Sequence, residues 1–299
     1  MKNQKVLITG GLGFIGKSLA AYLVSKNVQV TIFDSNEYQN AEEASNKYTL
    51  ILGSVLDTTI WDNLDYFDYV VHLAGPSSII QFNADLSSST KVTINGFINC
   101  LNWCSKSKPK LLVYPSSGNI FSEFHIPCSE ETIPKPSNTY GMIKYSLEFI
   151  AEAYSKLVPT TCLRIFTGYG YEERHKKDTA SVVTHFIRKM VLGQSPLIYG
   201  NGSQTRDFVY IDDILEAIYH SLQSGFIGKL NVGTGEDTSY NQIVSIINTN
   251  LGTSIAPKYV KKPMSYLERT LCSKYNINKV LKRKPISINE GIKLYLNML

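Results

Sequence analysis

Apolar runs of strand length alternate with amphipathic helical segments over the first two hundred residues, and this alternation restricts the fold more than any other feature. The longest helical patterns occupy 88–106 and 139–157, and the strand-like runs occupy 5–9, 28–34, 48–53, 68–74, 110–116 and 160–166. Apolar runs separated by helices indicate buried parallel strands with helices on both faces of the sheet. The pattern therefore predicts an α/β fold built on a doubly wound parallel sheet.

The pattern becomes irregular after Phe166. A loop-like stretch at 167–179 is followed by a short strand at 196–200 and by helical segments at 181–193, 213–224 and 240–252. We interpret this part as a smaller C-terminal lobe interleaved with the end of the first domain. The first domain is placed at 1–166, with 205–235 returning to it, and the smaller lobe at 167–204 and 236–299.

The composition excludes several classes of protein. The net charge of +5 is mild, and the basic clusters at 174–177, 258–262 and 281–284 are either solvated faces or a weak positive field for an anionic small molecule. No stripe of interleaved aromatic and basic residues is present, so nucleic acid is not expected as a partner. No apolar run approaches membrane-spanning length, and no signal-peptide core precedes the first strand.

The five cysteines are an odd number and include no CxxC pair. Cys100 and Cys104 lie one helical turn apart, a spacing that does not by itself make a metal site. The cysteines therefore indicate reduced, mostly buried thiols. We expect a cytoplasmic protein that has no membrane segment and no structural metal.

A glycine-rich turn, "TGGLGFIG" at 9–16, follows the first strand and opens the first helix. Gly10, Gly13 and Gly16 allow the backbone to turn tightly and to approach a pyrophosphate at the helix N-terminus. Asp34 ends the second strand, 18 positions after Gly16, where a carboxylate accepts both adenosine ribose hydroxyls and repels a 2′-phosphate. The two features predict a Rossmann-type site that binds NAD rather than NADP. The alternative is a structural glycine turn beside an exposed aspartate.

Tyr140 and Lys144 share one face of a predicted helix, because they are four residues apart. A nearby ammonium favours the phenolate, so Lys144 is expected to bring the tyrosine pKa down from about 10 toward the working pH. Ser116 and Ser117 end the preceding strand. A packed aromatic beside a surface lysine is the alternative, but this context favours a catalytic pair of Tyr140 and Lys144.

The chain resembles the extended short-chain dehydrogenases/reductases, specifically the nucleotide-sugar epimerase and dehydratase group. The resemblance spans nearly the whole chain and rests on the order of "TGGLGFIG", "DYVVHLAG", "YPSSGNIF", "YGMIK", "LRIFTGYG", "GNGSQTRDFVYIDDI" and "LNVGTG". It implies that Tyr140 is the general base, that Lys144 binds the nicotinamide ribose and that Ser117 binds the reacting hydroxyl. It also implies that Arg206 holds substrate phosphates, whereas Asp207 is structural.

The resemblance supplies fuller sets of site residues. The cofactor NAD would contact Gly10, Gly13, Phe14, Ile15, Gly16, Asp34, Ser35, Ser54, Val55, Leu73, Ala74, Gly75, Thr93, Tyr140, Lys144 and Phe166. A nucleotide-sugar substrate would contact Ser77, Ser117, Asn119, Thr167, Ser181, Val182, Tyr199 and Arg206. The smaller lobe would then bind substrate, and the helices at 88–106 and 139–157 would pair in a homodimer.

The residue at position 119, an asparagine, reduces the number of reactions that the resemblance allows. Dehydratases of this group carry a glutamate at this position, and elimination needs a further acid and base, whereas an amide cannot exchange protons near neutral pH. The 3,5-epimerase members place a cysteine there and a histidine near Ser181. His175 and His185 are instead interpreted as loop or helix surface. What remains is redox chemistry at sugar C4.

Several residues depart from the pattern of this family at positions that are expected to bind the nucleotides of the cofactor and the substrate. Ser54 replaces an aspartate that would bind adenine, Thr167 replaces an asparagine, and the stretch 261–270 lacks an Arg-x-Gly-Asp pattern, for which Lys262 is either a substitute or a surface lysine. The base and sugar therefore stay undetermined. We predict an NAD-dependent nucleotide-sugar 4-epimerase that serves surface polysaccharide precursors. The alternative is an NAD(P)H-dependent 4-keto-sugar reductase, ahead of a 4,6-dehydratase or a non-catalytic dinucleotide-binding protein.

Overall fold

A computed structural model describes residues 1–35, 47–121, 126–262, 267–273, 277–281 and 283–299 of the chain. Residues 263–266, part of the stretch that lacks the Arg-x-Gly-Asp pattern, lie outside these ranges. The strands of the described residues are β1 Lys5–Thr9, β2 Gln29–Asp34, β3 Thr49–Leu52, β4 Tyr69–His72, β5 Leu111–Ser117, β6 Thr160–Ile165, β7 Thr167–Tyr169, β8 Leu197–Tyr199, β9 Thr205–Tyr210, β10 Gly228–Val232, β11 Asp237–Ser239 and β12 Lys258–Val260.

The helices lie between these strands. They are α1 Phe14–Ser25, α2 Thr58–Asp62, α3 Ile79–Ala84, α4 Leu86–Ser107, α5 Thr139–Ala153, α6 Val182–Val191, α7 Ile211–Ser224, α8 Tyr240–Leu251, α9 Ile277–Val280 and α10 Ile288–Leu296, with 3-10 turns at Gly118–Ile120 and Tyr171–Thr179. None of the helices described is both long enough and apolar enough to cross a membrane.

The main sheet has seven parallel strands in the order β10-β6-β5-β4-β1-β2-β3. The order reverses between β1 and β4, which creates a crevice at the carboxyl ends of these two strands. This arrangement confirms the predicted α/β fold with a Rossmann-type doubly wound sheet.

The core lies on both faces of this sheet, as β1 illustrates. Val6 and Ile8 belong to a cluster that includes α1 and α7, while Leu7 points to the opposite cluster beneath α4 and α5. All three side chains are fully buried. Successive residues of a strand face opposite sides, so a strand covered on both faces reads as a continuous apolar run.

The smaller part of the structure contains a three-stranded sheet, β11-β9-β7, and a two-stranded sheet, β12-β8. β10 returns to the main sheet beside β6, and α7 packs against α1. The division at 1–166, 205–235, 167–204 and 236–299 stays a prediction.

The prediction of a loop at 167–179 is wrong, because this stretch forms β7 and a 3-10 segment. A three-residue strand and a polar 3-10 turn are too short to produce an apolar period, so they leave no clear pattern in the sequence.

Candidate active site

The glycine turn packs tightly against the end of β4. Gly10 has a φ of +67°, and a Cβ atom there would lie 2.7 Å from the backbone of Ala74. A Cβ atom on Gly16 would lie 2.4 Å from the carbonyl oxygen of Gly10. Helix α1 begins after Gly13, which offers no side chain to cap the free N–H groups of the first turn. Phe14 and Ile15 are the first residues of α1. The turn therefore leaves backbone donors that can bind an anion.

Asp34 lies at the carboxyl end of β2, beside this turn. Its carboxylate is buried and accepts a hydrogen bond of 2.9 Å from the backbone N–H of Leu12. The contact ties the second strand to the glycine turn, which places an acidic group where an adenosine ribose would lie. Ser35 follows it and is exposed.

The residues that follow β3, Ser54 and Val55, are those predicted to contact the adenine of the cofactor. The Ser54 hydroxyl accepts from the N–H of Leu56 at 3.2 Å. The Val55 carbonyl accepts from the Trp61 indole at 2.9 Å and from the Asn99 amide at 3.0 Å. The Val55 carbonyl is therefore occupied, whereas the Ser54 hydroxyl keeps its own proton to donate, so an adenine contact here would come from that hydroxyl, from backbone N–H groups or from the buried Val55 side chain.

An unsatisfied polar atom of α4 faces the segment that follows β4. The Thr93 hydroxyl is buried and has no hydrogen-bond partner among the described residues. Gly75 has a φ of +127°, and a Cβ atom on it would lie 3.3 Å from that hydroxyl. Leu73 and Ala74 form the wall between Thr93 and the glycine turn. A buried hydroxyl without a partner is costly, and a bound cofactor would satisfy it. The cradle therefore fits a dinucleotide.

His72 is a site residue that the sequence analysis quoted only within "DYVVHLAG". Its Nδ1 atom lies 2.8 Å from the Thr9 hydroxyl, and its ring packs 5.4 Å from that of Phe97. Burial lowers the pKa of His72 to about 3, and the charge of Lys144 adds to this. The imidazole is therefore neutral, which leaves Lys144 as the cation of this pair.

Ser117, Tyr140 and Lys144 come together where β5 meets α5. Asn138 caps α5 by accepting from the N–H of Gly141 at 2.9 Å. Gly141 brings the helix directly onto the turn after β5, because a Cβ atom there would lie 2.3 Å from the Asn119 carbonyl oxygen. The Ser117 hydroxyl consequently lies near Tyr140, close enough to act on the Tyr140 pKa as a hydrogen-bonding group. The Lys144 ammonium lies 6.0 Å from the centre of the Tyr140 ring.

The predicted lowering of the Tyr140 pKa by Lys144 is not seen. Burial raises the pKa of Tyr140, and the hydrogen bond from Ser117 opposes that rise. Burial lowers the pKa of Lys144 to about 8. The physical reason is that desolvation disfavours phenolate and ammonium alike, and no sequence pattern reveals how deeply both groups are buried.

Asn119 contacts Ser117. Its backbone N–H and its side-chain amide both donate to the Ser117 hydroxyl oxygen, at 3.1 and 3.2 Å. The amide orients the serine and cannot act as an acid or a base near neutral pH. Phe82, which the sequence analysis did not identify, packs edge-on against Tyr140 with ring centres 5.5 Å apart. Phe166 stacks on Phe121 beneath this turn.

Arg206 lies in the smaller sheet, on β9. Its guanidinium donates to the carbonyl oxygens of Thr205, at 2.8 Å, and Leu267, and lies 5.8 Å from the centre of the Tyr240 ring. No described contact joins it to Tyr140. A half-buried planar cation of this kind suits phosphate oxygens.

Asp207 is buried and accepts four hydrogen bonds. The donors are the N–H and hydroxyl of Thr234 and the N–H groups of Gly235 and Cys272. Burial raises the pKa of Asp207 to about 6 against the effect of these donors. The carboxylate joins three chain segments, which agrees with the structural role expected for it.

The other predicted substrate residues are dispersed, and no described contact joins them to Tyr140. Ser181 caps α6, donates to Glu173 at 2.6 Å and precedes Val182. Thr167 opens β7 and is half-buried. Ser77 is exposed near α3, and Tyr199 is exposed on β8.

Three predictions about accessory residues can be compared with the structure. His175 lies 2.7 Å from the Glu172 carbonyl oxygen and His185 lies 3.3 Å from that of Asp178, both away from the catalytic serine. Lys262 forms an ion pair with Glu268. Within the described residues, no group of three or more His, Cys, Asp or Glu could hold a metal ion.

Comparisons with known proteins agree with this geometry. A putative UDP-glucose 4-epimerase of Methanocaldococcus jannaschii is 29% identical over 298 residues, which cover 98% of this chain and 97% of the relative. The structure is similar to UDP-N-acetylglucosamine 4-epimerase from Methanobrevibacter ruminantium M1, with a TM-score of 0.90, 27% identity and 100% of both chains covered. It is also similar to a UDP-glucuronic acid 4-epimerase mutant from Bacillus cereus, solved with NAD, with a TM-score of 0.89, 25% identity and 98% of both chains covered.

A family model provides the assignment. The model of the NAD dependent epimerase/dehydratase family matches residues 6–233, which include the glycine turn, Ser117 and the helix that carries Tyr140 and Lys144. NAD is the cofactor of this family, and the cradle described above fits it. The chain therefore belongs to the NAD dependent epimerase/dehydratase family.

Proposed function

We propose that this protein is an NAD-dependent nucleotide-sugar 4-epimerase that supplies precursors of surface polysaccharides. The observation that carries the proposal is the contact of Asn119 with Ser117 beside Tyr140 and Lys144. The site holds the groups that C4 redox chemistry needs. It holds an amide where elimination would need a carboxylic acid.

The glycine turn, Asp34 and Thr93 would hold the NAD. The free N–H groups at the start of α1 would bind the pyrophosphate, and Asp34 would accept the adenosine ribose hydroxyls. Lys144 would donate to the nicotinamide ribose. When bound, the nicotinamide would take the hydride from sugar C4 and return it to the opposite face.

Tyr140 and Ser117 would move the proton of the C4 hydroxyl. Burial raises the pKa of Tyr140, so the phenol holds its proton firmly at neutral pH. The hydrogen-bonding contribution of Ser117 is the feature of this chain that favours the phenolate. The Tyr140 phenolate would accept the proton as the hydride leaves, and the phenol so formed would give it back when the hydride returns.

Substrate would extend from this site toward the smaller lobe. Arg206 would hold the phosphates through its planar guanidinium. Thr167, Val182 and Tyr199, with Ser77 on the sugar side, are proposed contacts of the nucleotide sugar. The Ser181 hydroxyl is occupied by Glu173, so we propose that Ser181 contributes by fixing the start of α6.

A homodimer is also proposed. Met142 and Phe149 project from α5 with 53% and 58% of their surface exposed, which is unusual for large apolar side chains on a packed helix. Pairing α4 and α5 with the same helices of a second copy would bury them. A monomeric mass in solution would refute this part of the proposal.

The first test is to denature purified, undialysed protein and identify any dinucleotide released. Near-stoichiometric NAD⁺ supports an epimerase that recycles its cofactor in place. A protein that carries none and binds NADH or NADPH reversibly would favour a 4-keto-sugar reductase, because the same three residues serve that reaction.

The second test screens UDP-hexoses for conversion with wild type, Tyr140→Phe and Tyr145→Phe. We expect Tyr140→Phe to lose at least about 100-fold in kcat, the usual range for a general acid–base group. Tyr145 lies on the same helix but packs against Phe149 instead of Ser117, so its variant should retain activity. Equal activity of all three proteins would contradict the proposed mechanism.

A further inference from the structure

One helix stripe carries three polar side chains that are all buried. Tyr140 and Lys144 continue at the same spacing to Glu148, one turn further along α5. The Glu148 side chain is 1% exposed and its partner, Arg164 on β6, is 2% exposed. Charged side chains are rarely buried to this degree. Neither residue is part of the proton or hydride chemistry described above.

The two side chains are joined by a two-pronged ion pair. The Arg164 Nε atom donates to Glu148 Oε1 at 3.0 Å, and Nη2 donates to Oε2 at 2.8 Å. The remaining nitrogen, Nη1, donates to the Glu130 carbonyl oxygen at 3.0 Å. The guanidinium carbon lies 5.3 Å from the centre of the Phe121 ring. A planar fork held at this many points fixes orientation as well as distance.

The pair lies directly behind the catalytic residues. In the pairing of β5 with β6, Arg164 is opposite Ser116, and the next pair contains Ser117. The Ser116 hydroxyl lies 3.5 Å from the Lys144 carbonyl oxygen, at the limit of hydrogen bonding. The ion pair therefore connects the strand that carries the serine to the helix that carries the tyrosine and lysine.

Stability alone is a poor reason for this arrangement. Removing two charges from water costs about as much as their attraction returns, and apolar residues of similar volume often stabilise a fold as well or better. An apolar contact would hold α5 against the sheet without fixing its rotation or its position along the strand. The ion pair adds that directional constraint.

We propose that Glu148 and Arg164 are positioning residues that hold Tyr140 and Lys144 in register with Ser117. The proposal rests on the proposed function for its kinetic consequence, while its structural consequence can be measured without any substrate. A displacement of about 1 Å at a catalytic group costs on the order of 100-fold in rate. A small rotation of α5 would therefore reduce turnover strongly in a fully folded protein.

The test is the double variant Glu148→Leu/Arg164→Met, compared with both single variants and wild type. Each single variant leaves one buried charge without its partner and is expected to unfold at a lower urea concentration. The double variant removes both charges and should regain most of the lost stability. Lys229→Met is the matched control, because Lys229 lies 3.4 Å from Glu148 Oε2 but is 43% exposed and is not part of the fork.

We expect the double variant to be folded and still to lose at least about tenfold in kcat. Its KM should stay within about threefold of wild type, because Arg206, the proposed phosphate-binding residue, is on another sheet. A crystal structure of this variant should show Tyr140 and Lys144 displaced relative to Ser117, compared with wild type. Lys229→Met should match wild type in both measurements. A purely structural role predicts that activity returns together with stability.

The two proposals fail in different ways. A folded double variant that keeps wild-type kcat or the wild-type positions of Tyr140 and Lys144 relative to Ser117 overturns the positioning role. A wild-type protein that converts no sugar nucleotide overturns the proposed function, and the crystal structure of the double variant then decides the positioning role alone.

Discussion

Replacing Lys144 with methionine should change how the stability of the protein depends on pH. Burial lowers the pKa of Lys144 from 10.5 to about 8 in the folded protein. Between these values the unfolded chain holds a proton that the folded chain has released. Stability therefore rises with pH across this interval, and the gain is complete only above the unfolded pKa.

The magnitude follows from the two pKa values. Each unit of difference between the folded and unfolded pKa is worth about 1.36 kcal/mol. The full gain in unfolding free energy is therefore about 3 kcal/mol, of which about 2 kcal/mol is present by about pH 9.5. The ammonium is charged in both states below about pH 8, so the folded state there carries the cost of its burial. Lys144→Met removes the titrating group, and the gain disappears with it.

The assay is urea unfolding of cofactor-free wild type and Lys144→Met from about pH 7 to about pH 9.5. The difference in unfolding free energy between them should grow by about 2 kcal/mol in favour of wild type. Lys91→Met, which removes an exposed lysine from α4, controls for the loss of a surface amine. A difference that stays constant across this range would refute the burial argument for Lys144.

Two further predictions concern Gly16 in the glycine turn and Asp207 in the smaller sheet. Gly16→Ala should weaken dinucleotide binding at least about tenfold, as measured by equilibrium dialysis. The new Cβ atom would lie 2.4 Å from the Gly10 carbonyl oxygen and would displace the turn. Unchanged affinity would show that the turn can relax. Asp207→Asn should lower the urea unfolding free energy by about 2 kcal/mol at neutral pH, since the new amide would face N–H donors and leave some unpaired. Wild-type stability in that variant would mean that the four hydrogen bonds contribute little.

The sequence predicted the parts of the site that depend on local pattern. The glycine turn, Asp34 and the tyrosine–lysine spacing each lie within one strand–turn–helix unit, where glycine conformation and helical period determine geometry. The parallel sheet was predictable for the same reason, because continuous apolar runs between helices are typical of strands buried on both faces.

The remaining features depend on contacts between distant segments. Glu148 and Arg164 are visible in the sequence as ordinary charged residues, and only the packing of α5 on β6 shows that they are buried together. The rise in the Tyr140 pKa likewise follows from desolvation that no spacing rule reports. Asn138 has a local signal, because an asparagine just before a helical pattern is a preferred N-cap, and that signal could have been used.

The way that β10 joins the main sheet affects how variants of this fold can arise. The chain leaves this sheet after β6, builds β7, β8 and β9, and returns to add β10 beside β6. Exchanging the smaller part between relatives would require two separate insertions, on either side of that returning strand. A single exchange of everything after β6 would remove β10 and make β6, a strand that is paired on both sides, the new edge of the main sheet, which invites pairing with other chains. New specificities in this scaffold should therefore arise by substitution within the loops more readily than by exchange of a whole lobe.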